Sequence, residues 1–183
     1  TDLSSKIIKS FPVQYLYEPK KGKGFALRAA LCKIKTEYVI LLDADTEYNL
    51  DDLDDLIFAH VNNSMIVGSR SISSMLWSSK IANWLISIIF YLRFKLKIKD
   101  CLSGIRIVPT HILQKLRAKQ FEVETELTIY AARMRLPASD FPTSVRSRIN
   151  SESKLSTYRD GLKILAFSFR LLHREFPLKL YLS

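Results

Sequence analysis

The chain is poor in cysteine, in glycine and in long apolar runs, and each shortage excludes something. Its 183 residues include two cysteines, Cys32 and Cys101, which are too far apart for a metal-binding pair, so we expect buried free thiols in a reducing compartment. Five glycines and no low-complexity tract argue against a flexible linker. The longest apolar run, 81–92, is interrupted by polar residues and is too short to span a bilayer, and no signal-peptide pattern is present.

Acidic residues are also in short supply. There are 18 of them against 28 lysines and arginines, which gives a formal net charge of +10 and a pI of about 9.6. Such a balance indicates an anionic partner: phosphates, nucleic acid or an acidic membrane surface. A hydrophobic content of 48% in a chain of this length is enough for one domain with a real core.

The central feature of the sequence is a predicted strand that ends in acids. Residues 38–42 are apolar or aromatic and predict a strand buried on both faces. In an open α/β sheet ligands bind at the carboxyl ends of strands, where Asp43 and Asp45 can point to one side and Glu47 keeps the same step. Such oxygens suit Mg²⁺ or Mn²⁺. The alternative is a strand that merely ends in a polar turn.

A basic, glycine-bearing loop precedes this strand. Residues 18–24 contain Lys21, Gly22 and Lys23, and a helix is predicted from residue 25 to residue 33. Glycine lets backbone N–H groups approach an anion, and a helix start favours negative charge. The spacing is not that of a P-loop, and a solvated basic turn is the alternative.

The remaining elements alternate between helix and strand. Periodicity and capping predict helices over 1–10, 49–60, 77–92, 110–117 and 122–135, and strands over 13–17, 64–67 and 140–147. Residues 100–108 predict a polar turn that enters a further strand. Pro142 marks the last strand as an edge. Arg70 follows the strand 64–67 and can reach the same crevice as Asp45, unless it is an ordinary surface arginine.

Two helices have the pattern of membrane-surface helices. The helix 77–92 carries Trp77 and Trp84 and is followed by lysines, which favours an interfacial helix over a core helix. A long helix after Thr157 has an apolar face and a basic stripe, typical of a helix lying on an anionic membrane, with packing against another subunit as the alternative. Between them the basic loop 146–154 could close over phosphates.

Together these motifs resemble the family-2 glycosyltransferases of the GT-A fold, and most of all the dolichyl-phosphate mannose synthase and polyprenyl-phosphate glycosyltransferase branch. The similar segments are Lys-Gly-Lys-Gly at 21–24, Asp-Ala-Asp at 43–45, Gly-Ser-Arg at 68–70, Ser-Lys-x-x-Asn at 79–83, Asp-x-x-Ser-Gly-x-Arg at 100–106, Glu-Thr-Glu at 124–126 and Arg-x-x-x-Glu-Ser-Lys at 148–154. The resemblance implies an α/β fold with a mostly parallel sheet flanked by helices. The catalytic domain would span 1–155, and an amphipathic membrane-interface helix and tail would span 156–183.

The resemblance also implies an activity and a set of roles. A hexose, mannose or glucose, would move with inversion from a nucleotide diphosphate sugar to a polyprenyl (dolichyl) phosphate at the cytoplasmic face of a membrane, with Mg²⁺ or Mn²⁺ as cofactor. The implied metal ligands are Asp43, Asp45 and Glu47. The donor-binding residues are Lys21, Gly22, Lys23 and Asp43. The acceptor-phosphate residues are Arg70, Ser79, Lys80, Asn83, Arg148 and Lys154. The catalytic residues are Asp45, Arg70, Asp100 and Glu126, with Asp100 and Glu126 orienting sugar hydroxyls or basic side chains.

Two other functions stay open. A sugar acceptor would require a general base, and Glu126 or Asp100 would take that role. A non-enzymatic protein could adhere to membranes through its basic helices, whereas no nucleic-acid-binding motif is present. The family's first β-α-β unit would come before Thr1, so we expect a fragment, a split gene or a degenerate copy, a separate polypeptide supplying that unit in the second case. We therefore expect this chain alone to bind nucleotide sugar poorly.

Overall fold

The computed structural model describes residues 3–44, 48–71, 75, 77–119 and 122–145, together with 166, 170 and 173. The side chains of 77–79 and 82 fall outside the description. The elements in chain order are α1 (Ser4–Lys9), α2 (Lys23–Leu31), β1 (Tyr38–Leu41), α3 (Asp52–Phe58), β2 (Met65–Arg70), α4 (Trp77–Phe94), β3 (Arg106–Pro109), α5 (Thr110–Leu113), α6 (Val123–Arg133) and β4 (Ala138–Thr143).

The described strands form one four-stranded sheet in the order β1-β3-β2-β4. β2 and β4 are parallel, whereas β3 pairs antiparallel with both β1 and β2. The predicted α/β class is confirmed. β1, β2 and β4 run in one direction as expected, but the reversed β3 lies between β1 and β2, so the sheet is mixed in its pairings.

Both faces of the central strands are covered. Met65 and Val67 on β2 join the larger core with residues of α4, α5 and α6, while Ile66 joins Ile107 of β3 and Leu56 of α3 on the opposite face. Successive side chains of a strand point to opposite faces, so a strand covered on both sides reads as an unbroken apolar run. Residues 64–67 predict a strand for this reason.

β1 departs from the prediction. It was expected to be buried on both faces, but Leu41 is its one buried residue and Ile40 is 37% exposed. The reason is position: within the described part of the chain β1 lies at an edge of the sheet and pairs with β3 alone. The other edge strand, β4, confirms the expectation from Pro142, which lies within it opposite Ser69.

The elements near the N-terminus also differ from expectation. Residues 13–17 form no strand in the structure, and the apolar residues of α1 are exposed. α3 covers Asp52–Phe58 and is shorter than the predicted 49–60. Leu50 and Ile57 are exposed, so of its apolar residues Leu56 is the fully buried one. A short apolar run predicts an element only when a partner element is present to bury it.

The predicted second segment, 156–183, lies outside the described residues except at 166, 170 and 173, so its amphipathic helix and the division at 155 stay predictions. Among the residues that the structure describes, no helix has both the length and the apolarity required to cross a membrane.

Candidate active site

The site lies where the chain leaves β1 and β2. Asp43 comes two residues after β1, and Arg70 is the last residue of β2. Because β3 is antiparallel to both, its first residue lies at this same edge, and Leu41 pairs with Arg106. The turn that precedes β3, residues 100–104, is therefore brought between Asp43 and Arg70.

Lys23 links two carboxylates from distant parts of the chain. Its Nζ lies 2.5 Å from Oδ1 of Asp43 and 2.5 Å from Oε1 of Glu124, at the start of α6. Burial by itself would lower the pKa of Lys23, but the carboxylates of Glu124 and Asp43 outweigh burial and hold the pKa above its usual value. The ammonium is therefore charged at neutral pH, and this end of the sheet already holds a cation between two acids.

Glycines place Lys23 at this point. Gly22 has φ of 140°, a conformation that favours glycine, and a Cβ on Gly24 would lie 1.9 Å from the carbonyl oxygen of Ala118. Gly24 N donates to the carbonyl oxygen of Lys119. The start of α2 is thus packed directly on the backbone of residues 118–119, which fixes the direction in which Lys23 leaves the helix.

Glu126 holds the other side of this contact. It is fully buried, and its carboxylate accepts hydrogen bonds from Arg117 N, Ala118 N and the hydroxyl of Tyr130 at 2.8, 2.5 and 3.0 Å. The prediction put Glu126 beside sugar hydroxyls or basic side chains. In the structure it is occupied by backbone amides and a tyrosine, so the geometry favours a supporting role in which Glu126 fixes the segment that α2 packs on.

The turn before β3 contacts both Arg70 and Asp43. Asp100 is fully buried and accepts hydrogen bonds from the backbone N, Nε and Nη2 of Arg70. At the other end of the turn a Cβ on Gly104 would lie 2.0 Å from Oδ2 of Asp43. Only glycine lets Asp43 lie against this backbone.

Tyr48 secures the same turn from the other face of the sheet. Its hydroxyl accepts a hydrogen bond from Gly104 N at 2.8 Å and contacts the hydroxyl of Ser103, which in turn donates to the carbonyl oxygen of Gly68. Burial raises the pKa of Tyr48 above its ordinary value, so the hydroxyl stays protonated. The turn is thereby tied to β2 and to the chain after Asp43.

Arg106 was not predicted as a site residue in its own right. Its side chain is fully buried and donates to the carbonyl oxygens of Cys101, Ser103 and Glu124 at 3.2, 2.7 and 3.0 Å. It therefore joins the turn before β3 to the start of α6, where Glu124 meets Lys23. The signal in the sequence was the motif at 100–106, which the resemblance included without a role for its arginine.

An apolar groove opens beside this turn. A cavity of about 610 Å³ lies between α4 and residues 96–99. Its apolar lining comes from the following residues: Met75, Ile81, Trp84, Ile88, Tyr91, Leu96 and Ile98. Lys80, Lys97 and Lys99 supply the charge around it. Lys99 directly precedes Asp100, so the groove and the Arg70–Asp100 pair are adjacent in the chain.

Asn83 has a part in shaping this groove. It is buried, and its Nδ2 donates to the carbonyl oxygen of Lys99 at 2.6 Å. The resemblance implied that Asn83 binds the acceptor phosphate. In the structure the hydrogen bond from its amide nitrogen ties residues 96–99 to α4 and so helps to form the wall of the groove.

The structure thus brings together part of the predicted site. Lys23 meets Asp43, Arg70 meets Asp100, and Lys80 lines the groove, whereas Lys21 is exposed. Five predicted residues lie outside the description, which includes no side chain for Ser79: Asp45, Glu47, Ser79, Arg148 and Lys154. Among described residues no three His, Cys, Asp or Glu side chains are grouped to hold a metal ion.

The carboxylate oxygens at this edge of the sheet nevertheless fit a hard cation. Asp43 and Glu124 are carboxylates that converge on one positive charge, and the absence of a side chain at Gly104 keeps Oδ2 of Asp43 clear of steric conflict. Mg²⁺ and Mn²⁺ are bound in proteins by such oxygens together with phosphate and water. A cation at Asp43 would have to share that carboxylate with Lys23.

The structure is a mixed α/β sheet with acidic side chains at one edge, and sequence comparison gives its family. The family model for glycosyl transferase family 2 matches residues 1–117. The chain belongs to glycosyl transferase family 2. The match includes Lys23, Asp43, Arg70 and the whole turn before β3.

Two curated relatives are similar to parts of the chain. A UDP-N-acetylglucosamine–dolichyl-phosphate N-acetylglucosaminyltransferase from Methanococcus voltae is 28% identical over 170 residues, 85% of this chain and 66% of that protein. An uncharacterized protein from Shigella flexneri is 39% identical over 80 residues, 42% of this chain and 49% of that protein. The matched part of the chain thus spans about half of one relative and about two thirds of the other.

Solved structures share the fold. Glucosyl-3-phosphoglycerate synthase from Mycobacterium tuberculosis in complex with UDP superposes with a TM-score of 0.69 at 17% identity, over 96% of this chain and 65% of that one. The same enzyme with Mn²⁺, UDP and glucosyl-3-phosphoglycerate gives a TM-score of 0.58 at 18% identity, over 92% and 57%. At these identities the similarity establishes the GT-A fold.

Proposed function

We propose that the protein transfers a hexose from a nucleotide diphosphate sugar to a polyprenyl phosphate at a membrane surface. The observation that carries this proposal is the position of the lysine-rimmed apolar groove, which is joined by a single turn to Asp43. A substrate with an anionic phosphate and a long apolar chain matches a groove of that composition. The low-identity similarity to a dolichyl-phosphate transferase supports the same acceptor class.

The donor side would be the edge where Asp43 and Lys23 meet. The diphosphate would lie against the start of α2, where the helix dipole and the basic loop favour negative charge. A divalent cation, held by Asp43 with Asp45 and Glu47, would supply neutralising charge for the leaving diphosphate. The solved neighbour with Mn²⁺ and UDP supports a metal in this fold and leaves Mg²⁺ and Mn²⁺ as equal candidates here.

The acceptor side would use Arg70 and Lys80. Asp100 accepts hydrogen bonds from Nε and Nη2 of Arg70 and so fixes the orientation of the guanidinium. Charge-assisted hydrogen bonds from such a fixed cation suit a phosphate. Lys80 lines the groove, where it would meet the lipid phosphate while the isoprenoid chain lies along Trp84 and Ile88.

The proposed transfer reaction needs no general base. A phosphate oxygen of the lipid attacks C1 of the sugar, the bond from C1 to the donor diphosphate breaks, and the configuration at C1 inverts. The phosphate is already ionised near neutral pH, so no side chain has to remove a proton. This agrees with the occupied carboxylates of Asp100 and Glu126, each of which accepts hydrogen bonds from the protein.

An acceptor competition tests the proposal. The protein is given radiolabelled nucleotide sugars together with a polyprenyl phosphate in detergent and a free oligosaccharide, and the product is divided between chloroform and water. We expect the label in chloroform as an acid-labile lipid. Label confined to the oligosaccharide would contradict the proposal and favour the family activity on a glycan acceptor.

A variant of Lys80 sharpens the same experiment. Lys80→Ala removes one charge-assisted contact with the lipid phosphate, so the KM for polyprenyl phosphate should rise about tenfold while the KM for the donor is unchanged. Lys35→Ala, which removes an exposed lysine away from the groove, is the matched control. Equal effects of the two variants would argue against an acceptor site at Lys80.

A further inference from the structure

The ammonium of Lys23 lies between two carboxylates, at a position where a divalent metal ion would also be attracted. Its ammonium is within 2.5 Å of a carboxylate oxygen on each of Asp43 and Glu124, and its side chain is 24% exposed. Glu124 is the more buried of the two acids, with a side-chain exposure of 10% against 39% for Asp43. The ammonium is therefore held by one enclosed acid and by one acid that solvent and ligands can reach.

The surrounding packing keeps the lysine in this position. α2 begins at Lys23 and is pressed through Gly24 onto residues 118–119. The buried Glu126 fixes that segment by accepting from two of its backbone amides. On the other side, the backbone at Gly104 confines the second oxygen of Asp43. These contacts place the Lys23 ammonium and the Asp43 carboxylate against each other.

We propose that Lys23 is an internal counter-ion that occupies Asp43 in the donor-free protein and yields this carboxylate when a divalent cation arrives, while Glu124 retains the ammonium nearby. This assigns Glu124 a positioning role that acts through Lys23. The inference rests on the proposed function, since it concerns the cation and the diphosphate of that site. Lys23 should therefore compete with the metal ion for Asp43 in the absence of the donor. Once the metal and the donor are bound, its ammonium should face the diphosphate.

Substitutions at Lys23 and at Glu124 should change the affinity for Mn²⁺ in opposite directions. Without the ammonium Asp43 is open to the metal, so Lys23→Met should tighten the binding of Mn²⁺ alone about tenfold, as expected when a competing charge is removed. With Glu124→Gln the lysine has Asp43 as its one remaining acid in this cluster, so Mn²⁺ should bind several-fold more weakly. A merely structural role would weaken metal binding in both variants.

The experiment is a titration of the full chain with Mn²⁺ alone, followed by the electron paramagnetic resonance signal of free Mn²⁺. Lys21→Met removes the same charge from the exposed lysine two residues earlier, and Glu122→Gln neutralises the acid before α6. Circular dichroism confirms that each variant is folded. UDP affinity is then measured with Mn²⁺ present, where Lys23→Met should bind UDP more weakly than Lys21→Met does.

Each result decides the proposal. Tighter Mn²⁺ binding by Lys23→Met and weaker binding by Glu124→Gln, each against its control, supports it. Equal Mn²⁺ affinity for Lys23→Met and Lys21→Met overturns it while the transfer activity can still stand. If Lys23→Met does not fold, unchanged or tighter binding by Glu124→Gln overturns it. No Mn²⁺ binding by the wild-type chain overturns both this proposal and the metal role in the proposed function.

Discussion

Asp100 accepts three hydrogen bonds from one residue, Arg70, at 3.2 Å from its backbone N, 2.8 Å from Nε and 3.1 Å from Nη2. Asp100 is fully buried, while the side chain of Arg70 is 15% exposed. The buried acid thus fixes both the end of β2 and the direction of the guanidinium. The pair connects the stability of the sheet with the site at its edge.

Replacing this acid should therefore affect folding and acceptor binding together. Asp100→Ala leaves the guanidinium of Arg70 without its carboxylate, and breaking such a buried pair costs about 3 kcal/mol of unfolding free energy. Urea denaturation followed by circular dichroism measures this change. Asp54→Ala, at an exposed position of α3, is the control and should lie within about 0.5 kcal/mol of wild type. A loss at Asp100 no larger than at Asp54 would contradict the pairing.

Gly104 should be required for the site more than for the fold. A Cβ there would lie 2.0 Å from Oδ2 of Asp43, so in Gly104→Ala the carboxylate must turn away. We expect Mn²⁺ affinity to fall at least about tenfold, since a misplaced ligand loses metal affinity, with the circular dichroism spectrum retained. Gly68→Ala, which meets Ile105 and Thr143 in the core instead, should lower stability without that selective loss. Normal Mn²⁺ binding by Gly104→Ala would contradict the account.

The two thiols should differ sharply in reactivity. The expectation of buried thiols is confirmed for Cys101 and is wrong for Cys32, which is exposed. Burial raises the pKa of Cys101 to about 12, which leaves almost no thiolate at neutral pH. A maleimide added to the native protein at neutral pH should modify Cys32 alone, and both thiols should react in urea. Intact-mass spectrometry counts the labels. Two rapid modifications in the native state would contradict the placement of Cys101 in the core.

The groove should contribute to binding at an anionic membrane. Trp84 lines it and is 61% exposed, so Trp84→Glu places a negative charge where the lipid chain and phosphate would lie. We expect less flotation with phosphatidylglycerol vesicles at low salt and a shallower loss as salt is raised, because less net positive charge faces the anionic surface. Phe58→Glu, at an apolar side chain that is 93% exposed on α3, is the matched control. Equal losses would mean that net charge, and no local surface, governs binding.

The sheet could be predicted where local pattern and tertiary environment agree. The apolar run of β2 and the proline in β4 indicated their places, because a strand covered on both faces and an edge strand have different compositions. β1 shows the limit. Its sequence reads like that of a covered strand, yet Ile40 is exposed, since burial depends on neighbours that the pattern of one segment cannot specify.

The sequence predicted which acidic residues belong to the site, but it did not predict most of the contacts between the site residues. Asp43 and Arg70 were recognised because each follows a strand, and the resemblance supplied the motif around Asp100. The pairing of Lys23 with Glu124 spans 101 residues of chain and has no local signal. Glu126 looked like a catalytic acid in sequence, and only the fold shows that backbone amides occupy it.

Transfer to lipid by the full-length protein, as wild type and as Asp45→Asn, tests the central claim most directly. Both proteins are incubated with labelled nucleotide sugar, polyprenyl phosphate and Mn²⁺ or Mg²⁺, and label extracted into chloroform is counted over time. We predict lipid-linked sugar from the wild type and a loss of at least about a hundredfold in Asp45→Asn, with an unchanged circular dichroism spectrum, because a ligand of the leaving-group cation is lost. Near wild-type transfer by Asp45→Asn, or no lipid-linked product with any donor, would contradict the account.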